Sequence, residues 1–294
     1  MAGFKSYDPK AIPVAELHGH MLGAVAPRPI AFASTIDTEG RPNLSPFSFF
    51  NVFSANPPIM IFSPARRVRD NTTKHTLENC IETKEVVINI VNYAIVEQMS
   101  LSSTEYELGV NEFVKSGLGM LESDLVRPFR VAESPAHFEC KVNDVIALGK
   151  EGGAGNLIIC EVVKMHLSEE ILNDAGKIDT YKLDPVSRMG ANYYCRAKGD
   201  AIFEVQKPLQ KRGIGVDQLP EDVRMSKVFN GNQLGKLGNV EELPSSEPLS
   251  ELGLPSETTA SLTTGNQEEL HKIVGRYLDK NEVELAWKIL VSKG

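Results

Sequence analysis

The segment from Ser63 to Thr76 has residue types that bind phosphate groups in proteins. It holds several hydroxyls and the densest cationic cluster in the first half of the chain, Arg66, Arg67, Arg69 and Lys74. Apolar residues at helical spacing beyond Lys74 predict a helix over 72–83, with capping residue types from Asp70 to Thr73. Cations, hydroxyls and a helix N-terminus together favour a phosphate site. The alternative is a solvated loop in front of a capped helix.

A second segment, Ser45-Pro-Phe-Ser-Phe-Phe-Asn51, alternates hydroxyl and aromatic side chains within a predicted strand over 43–53. In a strand these side chains divide between two faces, Ser45, Phe47 and Phe49 on one face and Ser48 and Phe50 on the other. Pro46 has no N–H group to donate, so we predict an edge strand or a bulge with free backbone groups. A ligand with a flat ring and polar edges would suit this segment. The alternative is an ordinary half-buried hairpin.

The histidines and cysteines provide no recognisable metal site. His18 and His20 are a possible chelating pair, but they lack a third ligand at a suitable spacing, so we predict no metal. The cysteines are scattered and indicate reduced thiols; they are Cys80, Cys140, Cys160 and Cys195. His137 begins a predicted strand and is a candidate catalytic residue, with a structural role in that strand as the alternative. The chain has no Rossmann fingerprint, Walker-type phosphate loop or nucleophile elbow.

Composition and charge argue against several classes of function. The chain has 294 residues and a formal net charge of -8 at pH 7. This negative charge argues against nucleic acid and anionic membranes as main partners. The N-terminal residues have no apolar signal region, and no apolar run approaches the roughly 18 residues that span a bilayer. With the scattered cysteines, these features favour a cytoplasmic protein.

The elements that must position the candidate side chains are mainly β-strands. Strands are predicted over 30–36, 43–53, 59–63, 86–91, 136–148, 156–167 and 201–205, with a short helix over 94–101. A glycine-rich turn at 151–155 joins the two longest strands as a hairpin. Many strands, few helices and frequent turns predict a mainly β fold built as an antiparallel barrel with flanking short helices.

The composition changes after about residue 208, and we predict two regions, 1–208 and 209–294. The second region starts with a Gly- and Asn-rich extension at 213–237, followed by an acidic linker at 241–266. Two apolar stripes at helical spacing then predict a C-terminal helical hairpin. The stripes are Leu270, Ile273, Val274, Tyr277 and Leu278, and then Val283, Ala286, Trp287 and Leu290.

Several motifs in a fixed order resemble the flavin reductase-like family of FMN-binding split barrels. They are Val25-Ala-Pro-Arg-Pro-Ile-Ala-Phe-Ala-Ser-Thr35, Asn43-Leu-Ser-Pro-Phe-Ser-Phe-Phe50, Lys74-His-Thr-Leu-Glu-Asn79, Val86–Val91, Glu112-Phe113, Ser134-Pro135 and Arg188-Met-Gly190. His75 stands where the family has Asp, so an imidazole replaces a carboxylate there. The resemblance covers about residues 15–205, and the region beyond lies outside the family pattern.

The resemblance implies a six-stranded antiparallel split β-barrel that forms a homodimer with FMN at the interface. It implies FMN-binding residues at Arg28, Ser45, Pro46, Phe47, Ser48, Phe49, Phe50, Asn51, Arg67, Lys74, Thr76 and Asn79. Among these, Arg67, Lys74 and Thr76 would hold the phosphate. Phe47 and Phe49 would form a wall beside the flavin ring, with Ser45 and Ser48 as hydroxyl donors.

The activity implied by the resemblance is hydride transfer from NADH or NADPH to FMN, followed by electron delivery to a monooxygenase or another acceptor protein. Two alternatives stay open. One is a flavoredoxin-like carrier that receives electrons from a protein, and the other is an FMN-binding protein without turnover. The sequence leaves open the nicotinamide preference, the acceptor, and whether FMN stays bound or exchanges.

Overall fold

The computed structural model describes residues 3–208, 212–246, 248, 251–264 and 266–292. The chain divides into two compact units, Met1–Phe203 and Glu204–Gly294. The change in composition at residue 208 therefore lies just inside the second unit. Within the described residues, no helix has the length and apolar character that crossing a membrane requires.

Antiparallel strands form the first unit. The strands are β1 Ala31–Ile36, β2 Pro42–Phe47, β3 Phe50–Ala55, β4 Pro58–Phe62, β5 Glu85–Ile90, β6 Met120–Leu121, β7 Arg130–Val131, β8 Ala136–Ala147, β9 Asn156–Leu167, β10 Val186–Arg188 and β11 Tyr194–Arg196. Seven of them make one sheet in the order β2-β1-β5-β8-β9-β4-β3. The remaining strands form two small pairs, β6 with β7 and β10 with β11.

The central strands are buried on both faces. β1 is buried along its whole length, and its successive residues Ala31 and Phe32 belong to different apolar clusters. The first cluster includes Phe62 and Ile158, and the second includes Phe113. Because successive side chains of a strand point to opposite faces, the sheet has a core on each side. Burial on both faces explains why β1 and β5 are rich in consecutive apolar residues.

Short helices flank this sheet. They are α1 Val14–Ala24, α2 His75–Thr83, α3 Val96–Leu101, α4 Glu112–Ser116 and α5 Thr180–Leu183. α2 buries Leu77 and Cys80 in the first cluster. α4 is capped by the side chain of Asn111, which accepts the N–H of Phe113. Both α2 and α4 contact β2, so the segments that lead into these helices lie beside one edge of the sheet.

The predicted barrel is not closed by hydrogen bonds. β2 and β3 are the two edge strands of the sheet, although only Ser48 and Phe49 separate them in the chain. The single strand predicted over 43–53 is therefore wrong, because the chain bends at these two residues and passes from one edge to the other. The sheet also has seven strands rather than the six that the resemblance implies.

Two other predictions are corrected. α2 begins at His75 and not at 72, because Arg67 N–H bonds to the Thr72 carbonyl and closes a loop immediately before the helix. The residue at the N-cap position is Lys74, which makes no side-chain cap. The strand predicted over 201–205 is wrong: Gly199–Ala201 is a 3-10 turn, and the following residues belong to no strand. The other predicted strands are confirmed to within one residue at each end.

Helices build the second unit around its own apolar core. They are α6 Glu221–Arg224, α7 Gly231–Gly238, α8 Ser256–Thr264, α9 Gln267–Asp279 and α10 Val283–Val291. The C-terminal helical hairpin is confirmed by α9 and α10, whose apolar stripes enter the core. The linker predicted over 241–266 is wrong in its second half, because α8 forms there and Leu262 is buried. The Gly- and Asn-rich extension supplies α7, which begins with a capping box between Asn230 and Gln233.

Trp287 is the largest fully buried side chain of this helical core. It is the single tryptophan of the chain, it is 1% exposed, and its Nε1–H donates to the Leu237 carbonyl at 3.1 Å. Replacing it with Ala should lower the free energy of unfolding of the second unit by about 3–5 kcal/mol, because a cavity opens in the core. Urea denaturation followed by far-UV circular dichroism measures this loss.

The matched control is Trp287→Phe, which keeps most of the apolar contacts and gives up the hydrogen bond to Leu237. Its expected loss is smaller, since one neutral hydrogen bond contributes about 1 kcal/mol. Equal losses in the two variants would contradict the packing that the structure shows around Trp287.

Candidate functional site

A polar cleft lies between β2, the first turn of α2 and the segment that follows α3. The residues that line it are Asn43, Ser45, Arg67, Lys74, His75, Thr76, Ser102, Ser103, Thr104, Glu105, Tyr106 and Glu112. Four of the residues predicted from the sequence to bind the cofactor are among them: Ser45, Arg67, Lys74 and Thr76. The fold therefore brings the end of the cationic segment next to the start of the hydroxyl-aromatic segment. Their role as cofactor ligands stays a prediction.

Two cationic side chains line this cleft, and they differ in their ion pairs. Arg67 is well bonded: its Nε donates to Glu105 Oε1 at 2.9 Å, and its Nη1 donates to Thr72 Oγ1 at 2.8 Å. Lys74 forms no ion pair with any carboxylate of the described residues; its Nζ lies 5.9 Å from the centre of the Phe47 ring. Burial and the neighbouring Arg67 hold the pKa of Lys74 below its ordinary value of 10.5. Lys74 is thus a half-buried cation available to an anion.

A hydrogen bond from the buried amide of Asn43 holds the Thr76 hydroxyl in place. Asn43 Nδ2 donates to Thr76 Oγ1 at 2.9 Å and to Thr35 Oγ1 at 3.1 Å. Asn79 Nδ2 donates to the same Thr35 oxygen at 3.0 Å. Because the Thr76 oxygen accepts from Asn43, its own proton is left to donate to another group. Asn79 lies behind the cleft wall, where it also borders a smaller neighbouring cleft.

The N-terminus of α2 adds backbone donors. Within the described residues, the N–H groups of His75 and Thr76 donate to no protein acceptor, and Lys74 provides no side-chain cap. Free N–H groups at a helix start carry partial positive charge and favour anions. Together with Lys74 and Arg67, they give the cleft a set of donors that suits an anion.

The hydroxyl-aromatic segment is divided by the bend between β2 and β3. Phe47 is buried and packs on Phe62, with ring centres 5.4 Å apart. Phe49 lies in the bend and is 39% exposed, with the ring of His18 from α1 at 6.1 Å. Phe47 ends β2 and Phe49 lies beyond it, so the two residues are not on one face of an uninterrupted strand. Their place beside a flavin ring stays a prediction. The edge position predicted from Pro46 is confirmed, since β1 is the single partner of β2 among the described strands.

The other members of this segment lie outside the cleft lining. Ser48 is half-buried in the bend. Phe50 packs against the first apolar cluster. Asn51 is exposed on β3, and its Oδ1 accepts the N–H of Val52 at 2.8 Å. These three, like Pro46 and Phe49, stay predictions as flavin contacts.

Arg28 has a different environment from the one its motif suggests. It is buried, and its guanidinium donates to the carbonyls of Leu22, Val25 and Met189 at 2.5–2.9 Å. Burial and the nearby Arg188 lower its pKa. These bonds tie the end of α1 to the segment after β10, while the buried Nε has no hydrogen-bond partner within the described residues. Arg28 as an FMN contact stays a prediction.

The sequence has no pattern that indicates the segment 102–106, and Glu112 enters only through the motif Glu112-Phe113, without a predicted role in the site. Glu112 is buried, and its Oε2 accepts the N–H of Leu44 at 3.0 Å; burial raises the pKa of this carboxyl. The motif Glu112-Phe113 was a signal for it, since a charged residue before a buried aromatic is unusual. Glu105 carried no local signal, because its partner Arg67 is 38 residues away in the chain.

One group of metal-ligand types occurs elsewhere in the described residues. Asp124, Glu139 and His166 bring their ligand atoms within 4.8 Å of one another. The Glu139 carboxylate already accepts the N–H groups of Asp124 and Leu125 and bonds to His166 Nε2 at 2.7 Å. Lys164 pairs with Asp124. The negative charges of this group are therefore balanced by protein donors.

His137 sits in a buried hydrogen-bond network. Asn89 donates its Nδ2 to the Phe32 carbonyl at 2.9 Å, so its Oδ1 is left to accept from Val131 N–H and from His137 Nδ1, at 3.0 and 2.9 Å. Burial lowers the pKa of His137 to about 4. His137 does not line the cleft, and these bonds support the structural role.

The lowered pKa makes folding sensitive to acid. The unfolded chain binds a proton at His137 near pH 6.5, and the folded chain only near pH 4. The contribution of neutral His137 to the free energy of unfolding is therefore present above about pH 6.5, and it is lost as the pH falls from there towards 4. At pH 5 the loss should be about 2 kcal/mol relative to neutral pH. Urea denaturation of the wild type and of His137→Gln at pH 7.5 and about pH 5 measures it.

In His137→Gln this component of the acid loss should disappear. The control is His18→Gln, which makes the same substitution at an exposed position of α1. An identical acid loss in the His137→Gln variant and the wild type would refute the assignment.

Comparison with known proteins gives one consistent result. The family model of the Flavin reductase like domain matches residues 22–182. Uncharacterized protein BH2278 from Halalkalibacterium halodurans is 36% identical over 203 residues, which cover 68% of this chain and 95% of that protein. Residues 204–294 lie outside the matched family region.

Solved structures agree with the family match. Nitrilotriacetate monooxygenase component B from Bacillus cereus has a TM-score of 0.65 and 28% identity, and the alignment covers 70% of this chain and 100% of that chain. A Shewanella frigidimarina structure named flavin reductase with split barrel domain has a TM-score of 0.57 and 26% identity, with 67% and 95% coverage. The family match spans more than half of the sequence. The chain belongs to the flavin reductase-like domain family.

Proposed function

We propose that this chain is an FMN-dependent oxidoreductase that takes hydride from NADH or NADPH and passes the electrons to an acceptor. The observation that carries this proposal is the cleft at the start of α2, where Lys74, Arg67 and the first N–H groups of the helix converge. Such a set of donors suits a phosphate dianion. Membership of the family supports a flavin as the molecule that brings this phosphate, and FMN ends in a phosphate monoester.

The residues present fit the phosphate group of FMN. Lys74 lacks a carboxylate partner among the described residues, and its ammonium would gain one in the phosphate. The Thr76 hydroxyl is oriented by Asn43 and has a proton to donate. When bound, the flavin would supply the ring that accepts hydride. The chain's own part is to fix the phosphate and to orient the ring.

The bend between β2 and β3 supports a ring site next to the phosphate cleft. Ser45 lines the cleft, and four residues later the Phe49 ring is partly exposed beside His18. β2 is an edge strand, so backbone groups around Pro46 are free to contact the polar edge of a flavin. Hydride transfer between two cofactor rings needs no acid or base from the protein.

Exposed apolar side chains support the homodimer. Val52 and Phe53 on β3, and Val163 and Met165 on β9, are all more than a third exposed, and these strands flank β4. Exposed apolar patches often mark contact surfaces between proteins, so these side chains favour an interface on this part of the sheet. A second copy of the chain would cover it.

The electron acceptor is proposed to be an oxygenase or another redox protein. The neighbour from Bacillus cereus is by name a component of a monooxygenase, which supports a partner of that class. The cysteines are free thiols, which supports the cytoplasmic location indicated by the sequence.

The reductase activity is tested by stopped-flow absorbance. Anaerobic mixing of FMN-loaded protein with NADH or NADPH should bleach the flavin band, because the ring gains two electrons. The control is the same concentration of FMN and nicotinamide without protein, which should react far more slowly. Bleaching by neither donor would overturn the reductase proposal; bound FMN would then favour an electron carrier or an FMN-binding protein without turnover.

The phosphate contact is tested with Lys74→Met, which keeps the length of the side chain and removes its charge. FMN should bind about 10- to 100-fold more weakly, because a charge-assisted hydrogen bond is lost. Riboflavin, which has no phosphate, should bind as it does to the wild type. Fluorescence titration of both flavins measures the two dissociation constants.

Lys177→Met is the matched control, since Lys177 is exposed in a turn and does not line the cleft. It should leave both affinities unchanged. In the wild type, FMN affinity should also fall at alkaline pH, because Lys74 loses its proton and its charge. This loss should occur at a pH below 10.5, the ordinary pKa of lysine, since the pKa of Lys74 is lowered. Equal weakening of FMN and riboflavin in Lys74→Met would contradict the assignment of the phosphate.

A further inference from the structure

Glu105 places a negative charge in the cleft that we assign to the flavin phosphate. Its Oε1 accepts from Arg67 Nε at 2.9 Å, and its Oε2 accepts from Arg69 Nη2 at 3.0 Å. One carboxylate therefore bridges two arginines of the cationic segment, and these arginines lower its pKa, so it stays ionised. Glu105 is itself a lining residue of the cleft.

The Glu105 carboxylate makes the kind of contact that a phosphate would make. Arginine binds carboxylates and phosphates with the same fork of N–H donors. Burial and Arg67 lower the pKa of Lys74, and the negative charge of Glu105 opposes part of that lowering. A phosphate dianion entering this space would therefore meet a like charge, and it would compete for Arg67.

The surrounding contacts allow Glu105 to leave without rearrangement of its segment. The hydroxyls of Ser102, Ser103 and Thr104 donate to the carbonyls of α3 and fix the backbone just before Glu105; these carbonyls belong to Met99, Ser100 and Leu101. Glu105 is exposed, so its side chain can turn into solvent.

The two arginines would respond differently to that movement. Arg69 keeps a second partner, because its Nε and Nη2 also donate to Asp70 Oδ2 at 3.1 and 2.9 Å. Arg67 has Glu105 as its only carboxylate partner within the described residues. Departure of Glu105 therefore makes Arg67 available to the cleft and leaves Arg69 paired.

We propose that Glu105 is a specificity-determining residue that occupies Arg67 in the absence of ligand and is displaced by the flavin phosphate. This inference rests on the proposed function, since it takes the cleft to be the phosphate site of FMN. Its consequence is that Glu105 weakens the binding of phosphorylated flavin and leaves flavin without phosphate unaffected. FMN is then held loosely enough to exchange.

The test is fluorescence titration of the full chain with FMN and with riboflavin, in the wild type, Glu105→Gln and Glu107→Gln. Gln keeps the size of the side chain and removes the charge. Glu107 is the matched control, because it is exposed two residues further along and does not line the cleft. Glu105→Gln should bind FMN about tenfold tighter than the wild type, with the gain shrinking at high salt. Riboflavin affinity should be the same in all three proteins.

Different failures have different meanings. If Glu105→Gln binds FMN no tighter than Glu107→Gln, the inference is wrong: an equal gain in both variants would be a general charge effect, and no gain in either would mean that Glu105 does not oppose the phosphate. If it binds FMN more weakly, Glu105 orients Arg67 and does not compete with the phosphate, which also overturns the inference. Both of these results leave the proposed function standing. If the wild type binds neither flavin, the proposed function and the inference fall together.

Discussion

The buried hydroxyl of Thr35 is the acceptor on which the cleft side of the sheet depends. Thr35 is fully buried in β1, and its oxygen receives the amides of Asn43 and Asn79. These bonds join β1, β2 and α2 at one point. The Asn43 amide also donates a hydrogen bond to the hydroxyl of Thr76. A buried amide without an acceptor would cost about 1–3 kcal/mol. The position of Thr76 is therefore set by the interior of the sheet and not by the loop before it.

This arrangement separates the rigid and the adjustable parts of the cleft. Thr76 and Asn43 are buried and held by the core, whereas Arg67 and Glu105 belong to segments at the surface. A ligand would thus meet the fixed hydroxyl of Thr76 on one side and a replaceable ion pair on the other. Exposed ion pairs contribute little to folding stability, so exchanging one of them for a bound anion costs the fold little.

The sequence predicts the elements whose patterns are local. The hairpin of β8 and β9 and the helices α9 and α10 follow from apolar periodicity and turn residues within short windows. The bend at Ser48 and Phe49 cannot be predicted from such a pattern, because hydroxyl and aromatic side chains continue through it. The helix α8 in the predicted linker has no apolar periodicity, because its single leucine, Leu262, stands among Ser, Thr and Ala; its helical form depends on the burial of that leucine. For the candidate site, residue types indicated Arg67, Lys74 and Thr76, but the pairing of Arg67 with Glu105 depends on a contact between distant segments.

The buried indole of Trp287 has a consequence for measuring this molecule. It is the single tryptophan, and it belongs to the helical unit, whereas the flavin family region belongs to the sheet unit. A flavin absorbs where tryptophan emits, so the two chromophores would form a natural donor and acceptor pair for resonance energy transfer. The efficiency of this energy transfer would then report the distance between Trp287 and the flavin without any attached dye.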